Sequence, residues 1–376
     1  MKQPHLCMIH EGIGTHSAIA KVALWGVKQA LGAGWRVTVV ANRLDPEIRA
    51  EVDWLPLYVP PRAFLLKWLT ARHFIRRALG NRKFNVIHAH QPQVASLSNI
   101  FTCHFLTRVA HEHHALESGT HLRSKISYAQ QRAALLAEDY YYSHFNPATK
   151  LVFCSELLQH HFNRLYPRPP LQEVLVNACP ELSPPSPETR QIARRQFTGE
   201  HWSGLVVGYL GGIHERKGYR HLIHSLQGHR NIFLLLAGEF TDRYTVPELP
   251  GHHRCVGWVH DLKAFLAACD VLLVPSAFDP CPLSVLDAVA AGVPVIATEG
   301  VGNLPELQRY GAGACWTVTE PLAPHIHHIL ANRKEYEAGA LRMAVELSES
   351  RQAKRLLELY HEALDQPTAA LTYQGL

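Results

Sequence analysis

The sequence predicts an α/β protein built from two doubly wound, Rossmann-like domains. Short apolar runs without polar alternation recur along the chain, and longer stretches of helical periodicity separate them. Such runs are typical of parallel strands whose two faces are both covered by helices. A proline-rich polar window divides the series into two halves, and 376 residues are more than one compact core usually holds.

Apolar runs on both sides of the polar window are expected to be strands. The first half contributes 5–10, 35–41, 85–90, 100–104, 151–154 and 173–177. The second half contributes 205–210, 231–237, 253–257, 270–275 and 293–297. Because open parallel sheets bind ligands outside the carboxyl ends of their strands, two such sheets that face each other would form a central cleft.

The polar window is ELSPPSPETRQ, residues 181–191, and we interpret it as a linker because its prolines and serines disfavour regular structure. A region rich in Ala, Leu, Glu and Arg, roughly 332–364, is expected to be helical. We therefore predict an N-terminal domain over 1–182, a C-terminal domain over 183–350, and a helical tail over 351–376 that packs back on the N-terminal domain.

Composition indicates an ordinary globular protein, with 47% hydrophobic and 18% charged residues. The net charge of +5 is too weak to indicate a nucleic-acid partner. The eight cysteines form no Cys-x-x-Cys pair, which favours reduced thiols and a cytoplasmic protein. The N-terminus is too polar for a signal peptide, and no apolar stretch approaches the roughly 18–20 residues of a membrane span.

A glycine-containing turn follows the first predicted strand. Gly12 and Gly14 allow a tight turn into a helix, whose first amides could face an anion. The third glycine of a G-x-G-x-x-G motif is missing because Ser17 stands there, so nicotinamide-cofactor binding has little support. We favour a loop that borders the cleft, and a purely structural turn is the alternative.

Three histidines stand near the carboxyl ends of predicted strands. His88 and His90 belong to IHAH, and His104 belongs to TCHF. We expect at least one of them to contact substrate, because ligands bind at that edge of a parallel sheet. The nearby HEHH at 111–114 does not complete an HExxH zinc motif because Ala115 occupies the last position, so we expect no metal site.

A basic turn lies in GYLGGIHERKGYRHLI, residues 208–223. The predicted strand ends in glycines, which let a ligand approach the backbone closely. Arg216 and Lys217 follow, and adjacent cations at the carboxyl end of a strand suit a diphosphate. The alternative is a solvated basic turn.

A second candidate site is DPCPLSVLDAVAAGVPVIAT, residues 279–298. Pro282 suits the first position of a helix, and Gly292 suits the end of that helix, which we predict over 283–291.

Two acids flank the start of this predicted helix. The amides of Leu283 and Ser284 would be available to a phosphate oxygen. A helix cap explains Asp279 but does not explain Asp287 within an apolar helix, so we expect the acids to hold hydroxyl groups of the same ligand.

The segment 62–84 holds seven Lys or Arg residues and no acid. Its apolar residues are Phe64, Leu65, Trp68, Phe74, Ile75 and Leu79. This composition is typical of an amphipathic helix that lies on an anionic membrane surface. The alternative is the basic face of an ordinary packed helix.

Taken together, these motifs resemble the retaining GT-B glycosyltransferases of family 4, which use nucleotide-sugar donors. The family signature places two acids eight positions apart before an Ala- and Gly-rich run, as Asp279 and Asp287 do before AVAAGVPVIAT. A second signature matches GGIHERKG at 211–218. The segments CSE, NACPE, CVGWV, CDVLLVPS and VGNLPE follow the order and spacing of the family.

The resemblance implies roles for individual residues. Asp279 would hold hydroxyls of the donor sugar, Asp287 would bind the ribose, and Lys217 would neutralise the diphosphate. Gly212 stands where the family has a phosphate-binding arginine, which Arg216 would replace. The implied donor-binding residues are Gly12, Gly14, Thr15, Gly212, Arg216, Lys217, Trp258, Val259, Asp279, Cys281, Leu283, Ser284 and Asp287.

The implied catalytic residues are His104, Lys217 and Asp279, with His88, His90 and His104 on the acceptor side. The expected reaction moves a hexose, from UDP-glucose or a similar donor, to a saccharide or a lipid-linked saccharide in polysaccharide or glycolipid biosynthesis. Configuration would be retained, without a metal or cofactor. We expect a cytoplasmic enzyme, peripheral on the inner membrane face, and no nucleic-acid partner. The alternatives are a GT-B sugar-nucleotide epimerase and a non-catalytic nucleotide-sugar sensor.

Overall fold

The computed structural model describes residues 3–57, 64–112, 122–213, 215–238 and 252–365, with the side chains of 64–69, 122–129 and 365 left out. The chain divides into two compact units. Unit 1 is formed by residues 1–176 and 352–376, and unit 2 is formed by residues 177–351.

Unit 1 contains a parallel sheet whose strand order is β5-β3-β1-β6-β7-β8-β9, and a separate pair, β2-β4. Its strands are β1 (His5–Ile9), β2 (Gly12–Ile13), β3 (Arg36–Ala41), β4 (Arg43–Leu44), β5 (Asp53–Pro56), β6 (Val86–Ala89), β7 (Ile100–Cys103), β8 (Lys150–Phe153) and β9 (Gln172–Val174). Its first helices are α1 (Ala18–Gly32), α2 (Phe64–Leu79), α3 (Thr107–Glu112), α4 (Leu122–Ser143) and α5 (Glu156–Leu165).

Unit 2 contains a second parallel sheet, of order β12-β11-β10-β13-β14-β15. Its strands are β10 (Leu205–Leu210), β11 (Ile232–Ala237), β12 (His253–Cys255), β13 (Val271–Val274), β14 (Val295–Ala297) and β15 (Gly313–Cys315). Its helices are α6 (Pro187–Thr198), α7 (Tyr219–Leu226), α8 (Leu262–Ala268), α9 (Leu283–Ala290), α10 (Leu304–Tyr310), α11 (Leu322–Ala331) and α12 (Arg333–Glu346). The last helix, α13 (Glu349–Asp365), leads back to unit 1.

The predicted α/β fold is confirmed, and every predicted strand is present in a parallel sheet. The linker prediction is wrong in its second half, because α6 begins at Pro187. Ser186 accepts a hydrogen bond from the amide of Thr189, and proline suits the first turn of a helix, so this polar window contains a helix start. The predicted tail is helical, with a break at 347–348 between α12 and α13.

The core of unit 1 includes side chains from both ends of the chain. Leu356, Leu359 and Tyr360 of α13 pack with apolar residues of β1, β3 and α1. The ring of Tyr360 lies 5.5 Å from that of Trp35, between centroids. Helix α13 therefore completes the hydrophobic core of unit 1.

The core of unit 2 contains a buried ionic network around Asp270, which precedes β13. The carboxylate of Asp270 accepts from the amide of Val206 at 2.8 Å, from Arg194 at 3.1 Å and from Arg333 at 2.9 Å. Arg190 lies 3.7 Å away. The network joins α6, β10, β13 and α12.

In both sheets the strand order reverses beside the central strand. The reversal lies between β1 and β6 in unit 1 and between β10 and β13 in unit 2. Ligands of doubly wound sheets bind outside the carboxyl ends of the strands at this switch point. A ligand site is therefore expected at the loops that follow these four strands.

Candidate active site

Three residues form what we call the charged cluster at the switch point of unit 2: Arg216, Lys217 and Asp279. Lys217 Nζ makes a short contact with Asp279 Oδ2, and Arg216 Nη1 lies 4.0 Å from Asp279 Oδ1. The sequence motifs that supplied these residues are 62 positions apart. The loops after β10 and β13 bring them together, with Asp279 largely buried.

The loop carrying the cations is tied to the loop that follows β13. The carbonyl of Arg216 accepts from the amide of Ala277 at 2.9 Å, and its guanidinium donates to the carbonyl of Phe278 at 2.6 Å. Gly218 turns the chain into α7 with φ +68°, and a Cβ there would lie 1.8 Å from the carbonyl oxygen of Pro275. Only glycine permits this approach.

The backbone of Asp279 is fixed on its other side by the loop after β14. Its amide donates to the carbonyl of Gly300 at 2.8 Å, and its carbonyl accepts from Gly302 at 2.9 Å. Asp279 thus pairs like a short strand with Val301. These contacts fix the main chain that carries the carboxylate.

Helix α9 begins close behind Asp279. Pro282 is its N-cap, one position earlier than predicted, and makes no side-chain capping bond. Among the described residues no acceptor is recorded for the amides of Leu283 and Ser284. The start of α9 can therefore donate to an anion, as the sequence indicates. Gly292 follows the helix with φ +70°.

Cys281 and Asp287 both lie close to a third residue, Cys179. Burial, followed by the proximity of Cys281 and Asp287, raises the pKa of Cys179 to about 12. Cys281 and Asp287 are both partly exposed, whereas Cys179 is buried. The two predicted ligand contacts on α9 and its N-terminal loop therefore share one neighbourhood.

Two buried polar residues beside this site were missed in the sequence. Asn303 donates from Nδ2 to the sulfur of Cys281 at 3.5 Å, and its Oδ1 has no partner among the described residues. Ser276 is also buried, with an unpartnered Oγ. The available signal for these two site residues was a polar residue beside apolar ones, Ser276 in CDVLLVPS and Asn303 in VGNL.

The remaining predicted donor contacts in unit 2 lie on the same edge of the sheet. Gly212 follows β10, and its carbonyl accepts from the hydroxyl of Tyr209 at 2.9 Å. Trp258 and Val259 follow β12, with Trp258 66% exposed. The amide of Gly238 donates to the carbonyl of Gly257 at 2.7 Å, which anchors this loop to the end of β11.

Unit 1 carries a group of four rings, which we call the histidine cluster: His10, His88, His90 and His104. His90 Nδ1 lies 2.7 Å from His104 Nε2. The ring centroids of His88 and His90 are 4.3 Å apart, and those of His10 and His90 are 6.2 Å apart. His10, at the end of β1, was not predicted as a site residue.

Three members of the histidine cluster, His88, His90 and His104, are kept neutral near pH 7 by their surroundings. Burial lowers the pKa of His88 to about 3. Burial, and then repulsion from His10 and His88, lowers the pKa of His104 to about 3, and the pKa of His90 is lowered for similar reasons. Both ring nitrogens of His88 are occupied, one by Tyr360 at 2.9 Å and the other by Thr102 at 2.7 Å.

The predicted glycine turn joins the histidine cluster. His10 Nδ1 lies 2.7 Å from the carbonyl of Gly12. Gly12 and Gly14 are buried, and Thr15 is exposed. Ser17 caps α1 by accepting from the amide of Ala20 at 3.2 Å, which uses one of the amides expected to face a ligand. Within HEHH, positions 113 and 114 lie outside the described residues.

In the part of the chain that the structure describes, no group of three or more His, Cys, Asp or Glu side chains could hold a metal ion. Likewise, none of the described helices is long and apolar enough to cross a membrane.

The predicted amphipathic helix over 62–84 is present as α2, but most of its described apolar side chains are buried in unit 1. Ala71, Ile75 and Leu79 are buried at successive turns, whereas Phe74 is 36% exposed. The exposed side chains include the cations Arg77, Arg82 and Lys83. From residue 70 onward this segment has a buried apolar face and an exposed basic one.

Comparisons with known proteins agree with this geometry. A protein-family model described as Glycosyl transferases group 1 matches residues 204–332, which include the charged cluster. A model described as Glycosyltransferase Family 4 matches residues 27–177. A sucrose-phosphate synthase structure from Thermosynechococcus elongatus superposes with a TM-score of 0.76 at 17% identity, over 96% of this chain and 99% of that one.

The chain has the GT-B fold of glycosyltransferases. The two domain matches and the structural neighbours together support a GT-B glycosyltransferase. A structure of HepE from Anabaena in complex with UDP-glucose superposes with a TM-score of 0.71 at 16% identity, over 95% of this chain and 99% of that one.

A curated relative is the lipopolysaccharide core biosynthesis glycosyltransferase LpsE of Rhizobium meliloti. It is 33% identical over 103 residues, which are 26% of this chain. The match spans 30% of the length of that relative.

Proposed function

We propose that this protein is a retaining family 4 glycosyltransferase that moves a hexose from a nucleotide diphosphate sugar to a saccharide or lipid-linked saccharide hydroxyl. The observation that carries the proposal is the charged cluster, in which two cations and one carboxylate meet at the switch point beside the open start of α9. A diphosphate needs the cations and the amides, and a sugar ring needs the carboxylate.

In this proposal the diphosphate is the leaving group. Lys217, Arg216 and the amides of Leu283 and Ser284 stabilise the negative charge that grows on it as the glycosidic bond breaks. Such fixed positive groups act without rearranging during the reaction. We propose that the transfer needs no metal, because the chain itself supplies these positive groups. Dialysis against EDTA should then leave the rate unchanged.

The contact between Lys217 and Asp279 implies that both side chains change partners when a donor binds. Lys217 turns from the carboxylate towards the diphosphate, and Asp279 then accepts from sugar hydroxyls. Asp287 and the backbone near Trp258 and Val259 hold the ribose and the base. In unit 1 the family resemblance makes Gly12, Gly14 and Thr15 donor contacts, and it makes His90 and His104 acceptor-side residues.

UDP-glucose is the leading donor in this proposal, because a solved neighbour binds it. We expect UDP-glucose to raise the melting temperature more than GDP-mannose does. We also expect radiolabelled glucose to move to an acceptor in a saccharide or glycolipid extract. Tight donor binding with no transfer in any extract would instead indicate a nucleotide-sugar sensor. Conversion of the nucleotide sugar to its epimer would indicate an epimerase.

The two acids are expected to bind different parts of the donor. Asp287→Asn should weaken UDP itself by about tenfold, since a charged acceptor for the ribose hydroxyls is worth roughly 1.5–3 kcal/mol. Asp279→Asn should weaken intact UDP-glucose by a similar factor and leave UDP nearly unchanged. Calorimetric titration of both ligands into both variants measures this, and equal losses of UDP affinity would contradict the assignment.

We also propose that the exposed basic side of α2 and its C-terminal loop binds an anionic membrane surface. Arg77, Arg82 and Lys83 are exposed there. Each Lys or Arg near an anionic bilayer contributes about 1 kcal/mol of attraction. Because Ala71, Ile75 and Leu79 are buried in unit 1, this binding rests on charge rather than on insertion of those side chains.

Changing Arg77, Arg82 and Lys83 to glutamine is expected to reduce binding to phosphatidylserine vesicles by at least tenfold at low salt. The matched control changes the exposed cations Arg195, Arg230 and Lys263 of unit 2, which removes the same charge from a different surface. Sedimentation with vesicles measures both. Equal losses of vesicle binding in the two triple variants would show that only the net charge matters. That outcome would contradict binding through the basic side of α2.

A further inference from the structure

The strongest unexplained feature of unit 1 is the hydrogen bond between His90 and His104. The two rings are within 14° of parallel and are joined through His90 Nδ1 and His104 Nε2 at 2.7 Å. His90 is only 6% exposed, and its Nε2 atom is buried without a partner among the described residues. The placement of one proton between these rings decides what His104 can do.

Both rings are neutral near pH 7, because burial and their histidine neighbours lower the pKa of each. Each ring therefore carries a single N–H, and two arrangements are possible. If His104 donates from Nε2, the proton of His90 must sit on Nε2, where no described residue accepts it. If His90 donates from Nδ1, its buried Nε2 is a bare nitrogen.

The second arrangement is favoured on physical grounds. A buried N–H without an acceptor is rare and costly in proteins, whereas an acceptor that lacks one partner is better tolerated. In this second arrangement Nε2 of His104 accepts, so the single proton of His104 is on Nδ1. The structure records no partner for Nδ1 among the residues it describes.

We infer that His90 is a positioning residue that donates to His104 and thereby holds His104 in the Nδ1–H tautomer. This inference rests on the proposed function for its consequence. His104 then presents a hydrogen-bond donor to an oxygen of the sugar or the acceptor. It does not present a bare nitrogen, so it does not serve as the general base for the acceptor hydroxyl.

The surroundings of His90 explain how the tautomer is maintained. His88 lies against it at 4.3 Å between ring centroids, and both nitrogens of His88 are bonded to Tyr360 and Thr102. His10 approaches edge-on and has its Nδ1 beside the carbonyl of Gly12. The titratable groups recorded against the pair are His10 and His88, and burial lowers the pKa of His88.

Nitrogen NMR of the histidine-labelled full chain at pH 7.5 tests the inference directly. The spectrum of His104→Gln identifies the signals of His104 by their absence. We expect wild-type His104 to show a protonated Nδ1 and a bare Nε2. A bare Nδ1 in the wild-type protein overturns the inference, whether or not any variant folds.

Variants of His90 provide the second arm. In His90→Leu we expect His104 to change to the Nε2–H form that an unconstrained neutral imidazole prefers. In His90→Asn the amide can still donate from the place of Nδ1, so the wild-type pattern should persist. His5→Leu, which removes another partly buried histidine of the same sheet, should leave the signals of His104 in place.

Kinetics then separate this inference from the proposed function. If glucose transfer is measured, His90→Leu should lower kcat/KM by about fivefold to tenfold, the effect of one lost hydrogen bond, and His90→Asn should recover most of it. Equal rates in His90→Leu and wild type overturn the positioning role. If no sugar is transferred by the wild type, the proposed function fails, and the NMR result still decides the tautomer.

Discussion

Replacing Lys217 with alanine is expected to lower kcat for sugar transfer by about a hundredfold, because single groups that stabilise developing charge carry effects of this size. Lys217 is the cation in direct contact with Asp279, whereas Arg216 is 4.0 Å from the same carboxylate and is also bonded to the carbonyl of Phe278. Arg216 therefore cannot take over both tasks. Steady-state rates with saturating UDP-glucose measure the change.

The control for this variant is Lys263→Ala, on α8 of the same unit. Lys263 is exposed and outside the charged cluster, so its removal alters the charge of unit 2 equally. We expect its kcat to stay within twofold of wild type, the ordinary spread for a surface change. A Lys217→Ala enzyme with an unchanged rate would show that Lys217 does not stabilise the leaving group.

The largest expected effect on stability comes from Asp270→Asn. The side chain of Asp270 is 2% exposed and is bonded to Arg194, Arg333 and the amide of Val206. Removal of one partner from a buried ionic network costs about 3–5 kcal/mol, because the opposite charges lose their compensation. A loss of about 3 kcal/mol should lower the melting temperature of unit 2 by about 8 °C.

Asp53→Asn is the matched control for charge and shape. Asp53 pairs with Arg36 at 2.6 Å, but both side chains are more than half exposed, so the pair is worth less than about 1 kcal/mol. We expect its melting temperature to stay within about 2 °C of wild type. If the two variants have the same melting temperature, the network around Asp270 does not stabilise unit 2.

Most of the fold was predictable because buried parallel strands have a strong local signature. Strands such as β11 are apolar along their whole length and buried on both faces. The strands β5 and β15 were missed because they are short edge strands, DWLP and GAC, without an apolar run. The window 181–191 was misread because prolines that suit a linker also suit the first turn of a helix, as at Pro187.

The site was predictable as residues but not as contacts. The motifs placed Lys217 and Asp279 at the ends of strands, and the family resemblance supplied their roles. Their direct pairing depends on the loops after β10 and β13, whose path no local pattern encodes. Asn303 and His10 were missed because a single polar residue in or beside an apolar run carries no periodicity.

The return of α13 to unit 1 has a consequence for biosynthesis. The hydroxyl of Tyr360 is bonded to His88 across 272 positions of sequence, and Leu356, Leu359 and Ala363 fill the same core. On the ribosome, the first 176 residues must wait with an incomplete core while the whole of unit 2 is made. Unit 2 is continuous and can close first, so the part synthesised earliest is the last to mature and the one most in need of chaperone protection.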